Sequence, residues 1–184
     1  LWAVGSVAHK VLQRISEPIL LIRASAPAPK PGALFSQVLV SLDGSSAGEA
    51  TLPYVQELAK KLKPEVILLR VVPPGQHVHT IGGLDYITFP EHEIASLKKE
   101  AEQYLDGVDQ KLEGTKATIR REVRIGNAAQ EIIKFADETD TPLVAMSSHG
   151  RSSIGEWIFG SVTHKVLHTG AIPLLIVRAS GRRG

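Results

Sequence analysis

The residues with the clearest chemical potential lie in one loop near the C-terminus. The loop follows the apolar segment Leu143–Met146, which predicts a buried strand, and it ends where a helical pattern begins after Gly160. The first amides of a helix have no acceptor inside the helix, and the helix dipole favours negative charge at that end. Glycines also let the backbone approach a ligand closely. We therefore predict that five residues of this loop and of the helix start surround the phosphates of a nucleotide: Gly150, Arg151, Gly160, Ser161 and Val162.

A simpler interpretation of the same residues stays open. Gly150 and Gly160 would then serve only turns, and Ser161 would be an ordinary N-cap of the helix. Arg151 is either a charge-assisted donor to a phosphate or an exposed cation of the loop. His149 has no acid or serine beside it in a recognisable catalytic order, which disfavours a role as general base.

The same stretch resembles the C-terminal signature of the UspA-like universal stress protein family. In that signature Gly, two residues, a second Gly and nine residues precede a third Gly followed by Ser or Thr. Gly150, Gly160 and Ser161 fit it, and Ser147 stands where the first glycine is expected. The resemblance implies binding of ATP or AMP, with or without Mg²⁺. Ser147 is the discriminating position, because glycine adopts backbone angles that serine tolerates poorly.

The resemblance also implies a role for residues that follow other strands. Asp43 and the backbone of Val71 would hold the adenine, although an Asp-Gly pair after a strand is also an ordinary turn signal. Ser41 and Ser147 would lie near the ribose. The complete set predicted to bind the nucleotide is Ser41, Leu42, Asp43, Val71, Met146, Ser147, His149, Gly150, Arg151, Gly160, Ser161 and Val162.

The chain contains an internal repeat that includes the segment around Gly160. Residues 2–25 align without gaps on residues 157–180, with Trp2 on Trp157 and Pro18 on Pro173. We interpret residues 1–24 as the last helix and strand of a preceding copy of the same domain, in a tandem protein cut within its first domain. Leu1 at the start and Met146 as the one methionine agree with a piece of a longer chain. Residues 25–34 would be a Pro/Ala linker, residues 35–180 a complete domain and residues 181–184 a flexible tail.

The strand of the preceding copy is apolar, and an apolar strand seeks a sheet edge. Domains of the family that the chain resembles commonly dimerise by pairing their last strands antiparallel. We therefore predict that Ile19–Arg23 pairs with Leu174–Arg178, within the chain or between chains, as a tandem pseudo-dimer or a homodimer. The alternative is a short amphipathic extension that packs on the surface.

The order of the remaining patterns predicts an α/β fold. Five apolar strands alternate with four helices, which gives a doubly wound five-stranded parallel sheet in three layers. The resemblance implies the adenine nucleotide alpha-hydrolase type of this fold. Ser46 and Glu49 have the spacing of a capping box. Asn127 and Gln130 have the spacing of an Asn cap at the start of another helix. Residues 73–90 show no clear period and are interpreted as a surface loop.

Composition narrows the function. The net charge is +2 with acidic and basic residues interspersed, so nucleic acid and membrane partners are not indicated. The chain has no cysteine, which excludes disulfides and thiolate chemistry and agrees with the cytoplasm. His77 and His79 have no further ligand at a recognisable spacing, so we predict no metal site.

Three functions remain. The first is a nucleotide-binding regulatory domain of the universal stress class that acts through dimerisation in a stress response. The second is a structural dimerisation module whose degenerate pocket binds no nucleotide. The third, a slow ATPase, is disfavoured because no phosphate-binding loop of the Gly-x-x-x-x-Gly-Lys-Ser/Thr type and no evident acid–base pair occur. We therefore assign no catalytic residue.

Overall fold

A six-stranded sheet forms the centre of the molecule, seen in a computed structural model that describes residues 17–23, 32–149 and 159–179. The strands of this sheet are β1 (Ile19–Leu21), β2 (Gln37–Ser41), β3 (Glu65–Val72), β6 (Thr118–Ile125), β7 (Val144–Ser147) and β8 (Leu174–Val177). A separate hairpin contains β4 (Gly75–Thr80) and β5 (Gly83–Thr88). The helices are α1 (Leu52–Leu62), α2 (Glu91–Lys111), α3 (Ala128–Glu138) and α4 (Ser161–Thr169).

The strand order in the central sheet is β1-β8-β7-β2-β3-β6. All neighbouring pairs from β8 to β6 are parallel, and β1 is antiparallel to β8. The chain therefore winds outward in both directions from β2, with helices as crossovers. The predicted doubly wound sheet of five parallel strands and four helices is confirmed.

Two apolar layers hold the helices on the sheet. On one face, residues of α3 and α4 such as Phe135 and Leu167 pack against β7 and β8. On the other face, residues of α1 and α2 such as Val55 and Leu105 pack against β2 and β3. The middle of β3, Val66–Leu69, is fully buried, because a central parallel strand is covered on both faces.

The short strand β1 covers the edge of β8. Ile19, Leu20 and Leu21 lie opposite Ile176, Leu175 and Leu174 in the same chain. Arg23 then donates from Nη2 to the carbonyl of Leu167 in the last turn of α4. The predicted pairing of Ile19–Arg23 with Leu174–Arg178 is thus present over three residues of each segment, within the chain. Residues 1–16 and 24–31 lie outside the described residues, so the predicted domain divisions remain predictions.

Two local predictions are wrong. Residues 73–90 contain the hairpin of β4 and β5, joined through Ile81 and Gly82, and not an irregular loop. The apolar residues of this hairpin are mostly exposed, so the segment lacked the buried periodicity that marks a strand. The Ser46–Glu49 capping box is also absent, because the hydroxyl of Ser45 accepts from the amide of Gly48 and a 3-10 turn over Gly48–Thr51 precedes α1.

The predicted Asn cap is confirmed. The side chain of Asn127 accepts a hydrogen bond from the amide of Gln130 at the start of α3. Among the described residues, no helix combines the length and the apolar character that a membrane crossing needs.

Candidate functional site

A cavity of about 560 Å³ lies at the carboxyl ends of β2, β3 and β7. This is the point where the winding direction of the sheet reverses, and ligands of open parallel sheets collect there. The volume is within the range of small-molecule and cofactor sites. Ten residues of the predicted set line the cavity: Ser41, Leu42, Asp43, Val71, Met146, Ser147, His149, Gly160, Ser161 and Val162. Gly150 and Arg151 lie outside the described residues.

The carboxylate of Asp43 organises the turn that follows β2. Its Oδ1 accepts from the amide of Ser45 at 2.9 Å and from the hydroxyl of Ser45 at 2.6 Å. Gly48 packs so closely on this carboxylate that a Cβ there would lie 2.5 Å from Oδ1. The geometry supports the turn interpretation of Asp43, and its contact with an adenine stays a prediction.

Arg70, next to Val71 at the end of β3, also lines the cavity. Its guanidinium lies against Gly44, where a Cβ would come within 2.0 Å of Nη1, and its Cζ is 4.8 Å from the centre of the Tyr104 ring. Gly44 has φ of +81°, a conformation that favours glycine. Its place near the carboxyl end of β3 could be predicted from the sequence, whereas its contact with Tyr104 could not.

Tyr104 of α2 is the aromatic residue that the Arg70 guanidinium contacts. Burial raises the pKa of its phenol, and the neighbouring carboxylate of Glu49 raises it further, against the opposing effect of Arg70. The hydroxyl lies near Glu49 without a hydrogen bond of good geometry. Glu49 itself accepts from Lys111 Nζ at 2.6 Å. Charged and aromatic side chains therefore link the end of β3 and the helix α2 to the turn that follows β2.

Ser147 fits its position without backbone strain. It is the last residue of β7, it is paired with Val177, and it does not have a positive φ. The hydroxyl of Thr163 in α4 donates to the Ser147 carbonyl at 2.8 Å. This bond fixes the first turn of α4 beside the end of β7.

Ser148 fixes the same junction through its backbone. Its amide donates to the carbonyl of Val177 at 2.7 Å, and its carbonyl accepts from the amide of Gly160 at 2.8 Å. The hydroxyl of Ser148 lies 3.0 Å from Nδ1 of His149. His149 lines the cavity, whereas Ser148 does not.

The start of α4 lines the cavity. Gly160 is the N-cap, with an extended backbone, and the first intrahelical bond runs from the amide of His164 to its carbonyl. The amides of the first three helical residues, 161–163, therefore have no acceptor within the helix. Ser161 is the first helical residue, so the interpretation of Ser161 as the N-cap is wrong.

The far wall of the cavity comes from α2 and α3. Glu93, Leu97 and Glu100 of α2 are lining residues, as are Asn127 and Ala128 at the start of α3. Sequence reasoning missed Glu93 and Glu100 because the charged side of an amphipathic helix normally faces solvent. Among the described residues, no group of three His, Cys, Asp or Glu side chains is placed to hold a metal ion.

Comparisons with known proteins find similarity to one family. Residues 35–178 match the sequence model of the universal stress protein family. Universal stress protein YxiE of Bacillus subtilis is 32% identical over 150 residues, which are 79% of this chain and the whole of that protein. Universal stress protein Mb2028c of Mycobacterium bovis is 25% identical over 182 residues, which are 96% of this chain and 57% of that protein.

Solved structures share the fold. Protein MJ0577 of Methanocaldococcus jannaschii superposes with a TM-score of 0.65 at 24% identity, over 80% of this chain and 99% of that one. A universal stress protein crystallised in complex with cAMP superposes with a TM-score of 0.53 at 20% identity, over 79% of this chain and 98% of that one. Identity at this level shows a common fold.

Proposed function

Because the chain belongs to the universal stress protein family, we propose that it binds an adenine nucleotide, ATP or AMP, as a regulatory signal in the cytoplasmic response to stress. The observation that carries the proposal is the cavity at the reversal point of the sheet. Residues from β2, β3 and β7 line it together with the first turn of α4. The bound nucleotide would be sensed by partners through the conformation that it stabilises.

The two ends of the cavity differ in the groups that they offer. At one end the amides of the first turn of α4 lack internal acceptors, which suits an anion. At the other end lie Asp43, Val71 and Arg70, which suit a base with donors and acceptors on its edge. We therefore place the phosphates at Gly160–Val162 and the adenine beside Asp43 and Val71.

Ser147 does not oppose this proposal. A serine would interfere if the backbone needed a positive φ, and Ser147 has none. Its hydroxyl accepts from the amide of His149 at 3.4 Å, so the side chain has a partner in its own loop. The complex of a relative with cAMP supports the nucleotide class.

The pairing of β1 with β8 supports a tandem pseudo-dimer as the working form. The repeat relates residues 2–25 to residues 157–180, and the pairing places equivalent strands side by side. Mb2028c is matched over 57% of its length by nearly the whole chain, which agrees with an arrangement of two successive domains.

Calorimetric titration with ATP and AMP, with and without Mg²⁺, tests the proposed function. We expect saturable binding that Gly160→Val abolishes, because a branched side chain would cover the amides of α4. Gly107→Val is the matched control, since a Cβ at this position of α2 meets no atom within 4 Å. If millimolar nucleotide gives no heat of binding, the proposed function is wrong and a structural dimerisation module is the function that remains. Multiple turnover of ATP by the wild type, lost in Gly160→Val, would show a slow ATPase.

A further inference from the structure

Phe89 connects the hairpin to α2 and forms part of the cavity wall. It follows β5, which ends at Thr88, and it precedes α2, which begins at Glu91. All six residues of β5 are exposed, whereas Phe89 is half-buried and lines the cavity. The Phe89 side chain therefore belongs to the cavity, unlike the side chains of the strand before it.

The backbone at Phe89 is held on both sides. Its amide donates to the carbonyl of Pro74 at 2.9 Å, which closes the base of the hairpin. Gly75 packs there so closely that a Cβ would lie 2.2 Å from the carbonyl oxygen of Ile87. On the other side Pro90 is the N-cap of α2. A ring on a backbone that is already ordered loses little further freedom when it contacts a ligand.

The topology places Phe89 at the end of the cavity where we place the adenine. Pro74, its hydrogen-bond partner, lies two positions after Val72, the last residue of β3. In the sheet β2 separates β3 from β7, and the start of α4 is bonded to the end of β7. Phe89 therefore lies on the side of β3 and Val71, away from the helix start that would hold the phosphates.

The cavity wall also contains apolar side chains from the strand ends and from α2, among them Leu42, Val71 and Leu97. A wall that is apolar and aromatic suits the face of a planar ring, and nucleic acid bases stack on aromatic side chains. We propose that Phe89 stacks on the base of the bound nucleotide and that its ring supplies part of the affinity for the base. The inference rests on the proposed function for the class of ligand.

Substitutions of Phe89 test whether the aromatic ring itself acts. Phe89→Tyr keeps the ring, and Phe89→Leu keeps an apolar side chain without it. In calorimetric titration we expect Phe89→Tyr to bind AMP within a few fold of wild type. Phe89→Leu should bind AMP about five- to a hundredfold more weakly, the range for loss of one base–aromatic stack. Equal affinity of Phe89→Leu and wild type would overturn the inference.

Tyr86→Ala is the matched control on the same hairpin. Tyr86 is an exposed aromatic residue of β5 that contacts the ring of His77 and does not line the cavity. Its removal should leave the affinity for AMP within a few fold of wild type. A loss as large as that of Phe89→Leu would mean that the hairpin as a whole supports the site, and stacking by Phe89 would be wrong.

Fluorescence of Phe89→Trp detects the stack directly, because a base stacked on an indole ring quenches its emission. The substitution adds a tryptophan to the two of the wild-type chain, so the difference between the two proteins reports on position 89. We expect AMP and adenosine to quench the added emission. Ribose 5-phosphate, which has no base, should leave it unchanged. Equal quenching by ribose 5-phosphate, or no quenching by bound AMP, would contradict the inference.

The failure of this inference and the failure of the proposed function give different results. If wild type and Phe89→Leu bind AMP equally well, the nucleotide function stands and the stacking is wrong. If wild type binds neither AMP nor adenosine, both are wrong. Ribose 5-phosphate separates stacking from a general distortion of the cavity, because its affinity should be the same in wild type and Phe89→Leu. A loss of that affinity as large as the loss for AMP would also overturn the stacking.

Discussion

Leu20 lies directly opposite Leu175 in the antiparallel pair of β1 and β8. The two leucines also occupy equivalent positions of the internal repeat, which relates Leu20 to Leu175 without a gap. Ile19 lies opposite Ile176, which the repeat relates to Leu21. Leu21 lies opposite Leu174, which the repeat relates to Ile19. The pair therefore has local twofold symmetry, as an isologous contact between two identical strands would have. The edge of β8 is complementary to itself, and β1 occupies that edge.

A chain that begins at residue 32 should therefore associate with itself more strongly than the chain studied. Removal of β1 leaves the backbone groups and apolar side chains of β8 at an open edge, where β8 of a second copy can pair in the same register. Sedimentation velocity over a range of concentrations measures the difference. Leu175→Arg in the shortened chain is the control and should restore the monomer. A shortened chain that stays monomeric at the highest concentration would contradict the inferred complementarity.

Gly44 should be far less tolerant of a side chain than Gly114. Both have φ near +80°, so alanine meets the same backbone penalty, about 1–2 kcal/mol, at either position. At Gly114 the new Cβ meets no atom within 4 Å, whereas at Gly44 it lies 2.0 Å from Arg70 Nη1.

We therefore expect Gly44→Ala to lower the free energy of unfolding by at least about 1 kcal/mol more than Gly114→Ala, because the guanidinium must leave the Tyr104 ring. Urea denaturation of the two variants measures the difference. Equal losses would show that Arg70 moves aside freely.

Much of the fold could be predicted because its signals are local and periodic. The apolar run of β3 and the amphipathic stripe of α2 each have one consistent interpretation. The pairing of β1 followed from the repeat together with the resemblance to a known family. The hairpin of β4 and β5 was missed because its apolar residues, among them Ile81 and Leu84, are exposed and carry no burial pattern.

The candidate site was predictable where it depends on strand ends. Parallel strands bring their carboxyl ends to one edge, so Asp43, Val71 and Ser147 could be placed together from topology. The place of Glu100 at the cavity could not be predicted, because it depends on how α2 lies across that edge.

Tyr104 should make the protein less stable in alkali. Burial and Glu49 raise the pKa of its phenol in the folded state, so the folded protein holds this proton more tightly than the unfolded chain. The associated stability is present below the unfolded pKa of about 10 and is lost as the pH rises above it. Urea denaturation between about pH 8 and pH 11 should therefore give a steeper decline for wild type than for Tyr104→Phe. Parallel declines would show that the phenol ionises as easily in the folded protein.

Ser147→Gly restores the first glycine of the family signature, and we expect it to leave nucleotide affinity within about threefold of wild type. Ser147 does not have a positive φ, so glycine relieves no strain. The substitution should instead lower the free energy of unfolding by about 0.5–1 kcal/mol, since glycine in a strand loses more conformational freedom on folding. The hydrogen bond from the His149 amide to Ser147 Oγ is lost as well.

Calorimetric titration with AMP, together with urea denaturation of the same preparation, measures both effects of Ser147→Gly. Ser147→Val is the contrasting variant, because its branched side chain keeps the strand conformation and fills the space at the cavity wall where Ser147 lies. It should weaken AMP binding at least tenfold while leaving the free energy of unfolding closer to wild type than glycine does. A large gain in affinity for Ser147→Gly would mean that the serine side chain itself obstructs the nucleotide, and the cavity of the wild type would then be a degenerate one.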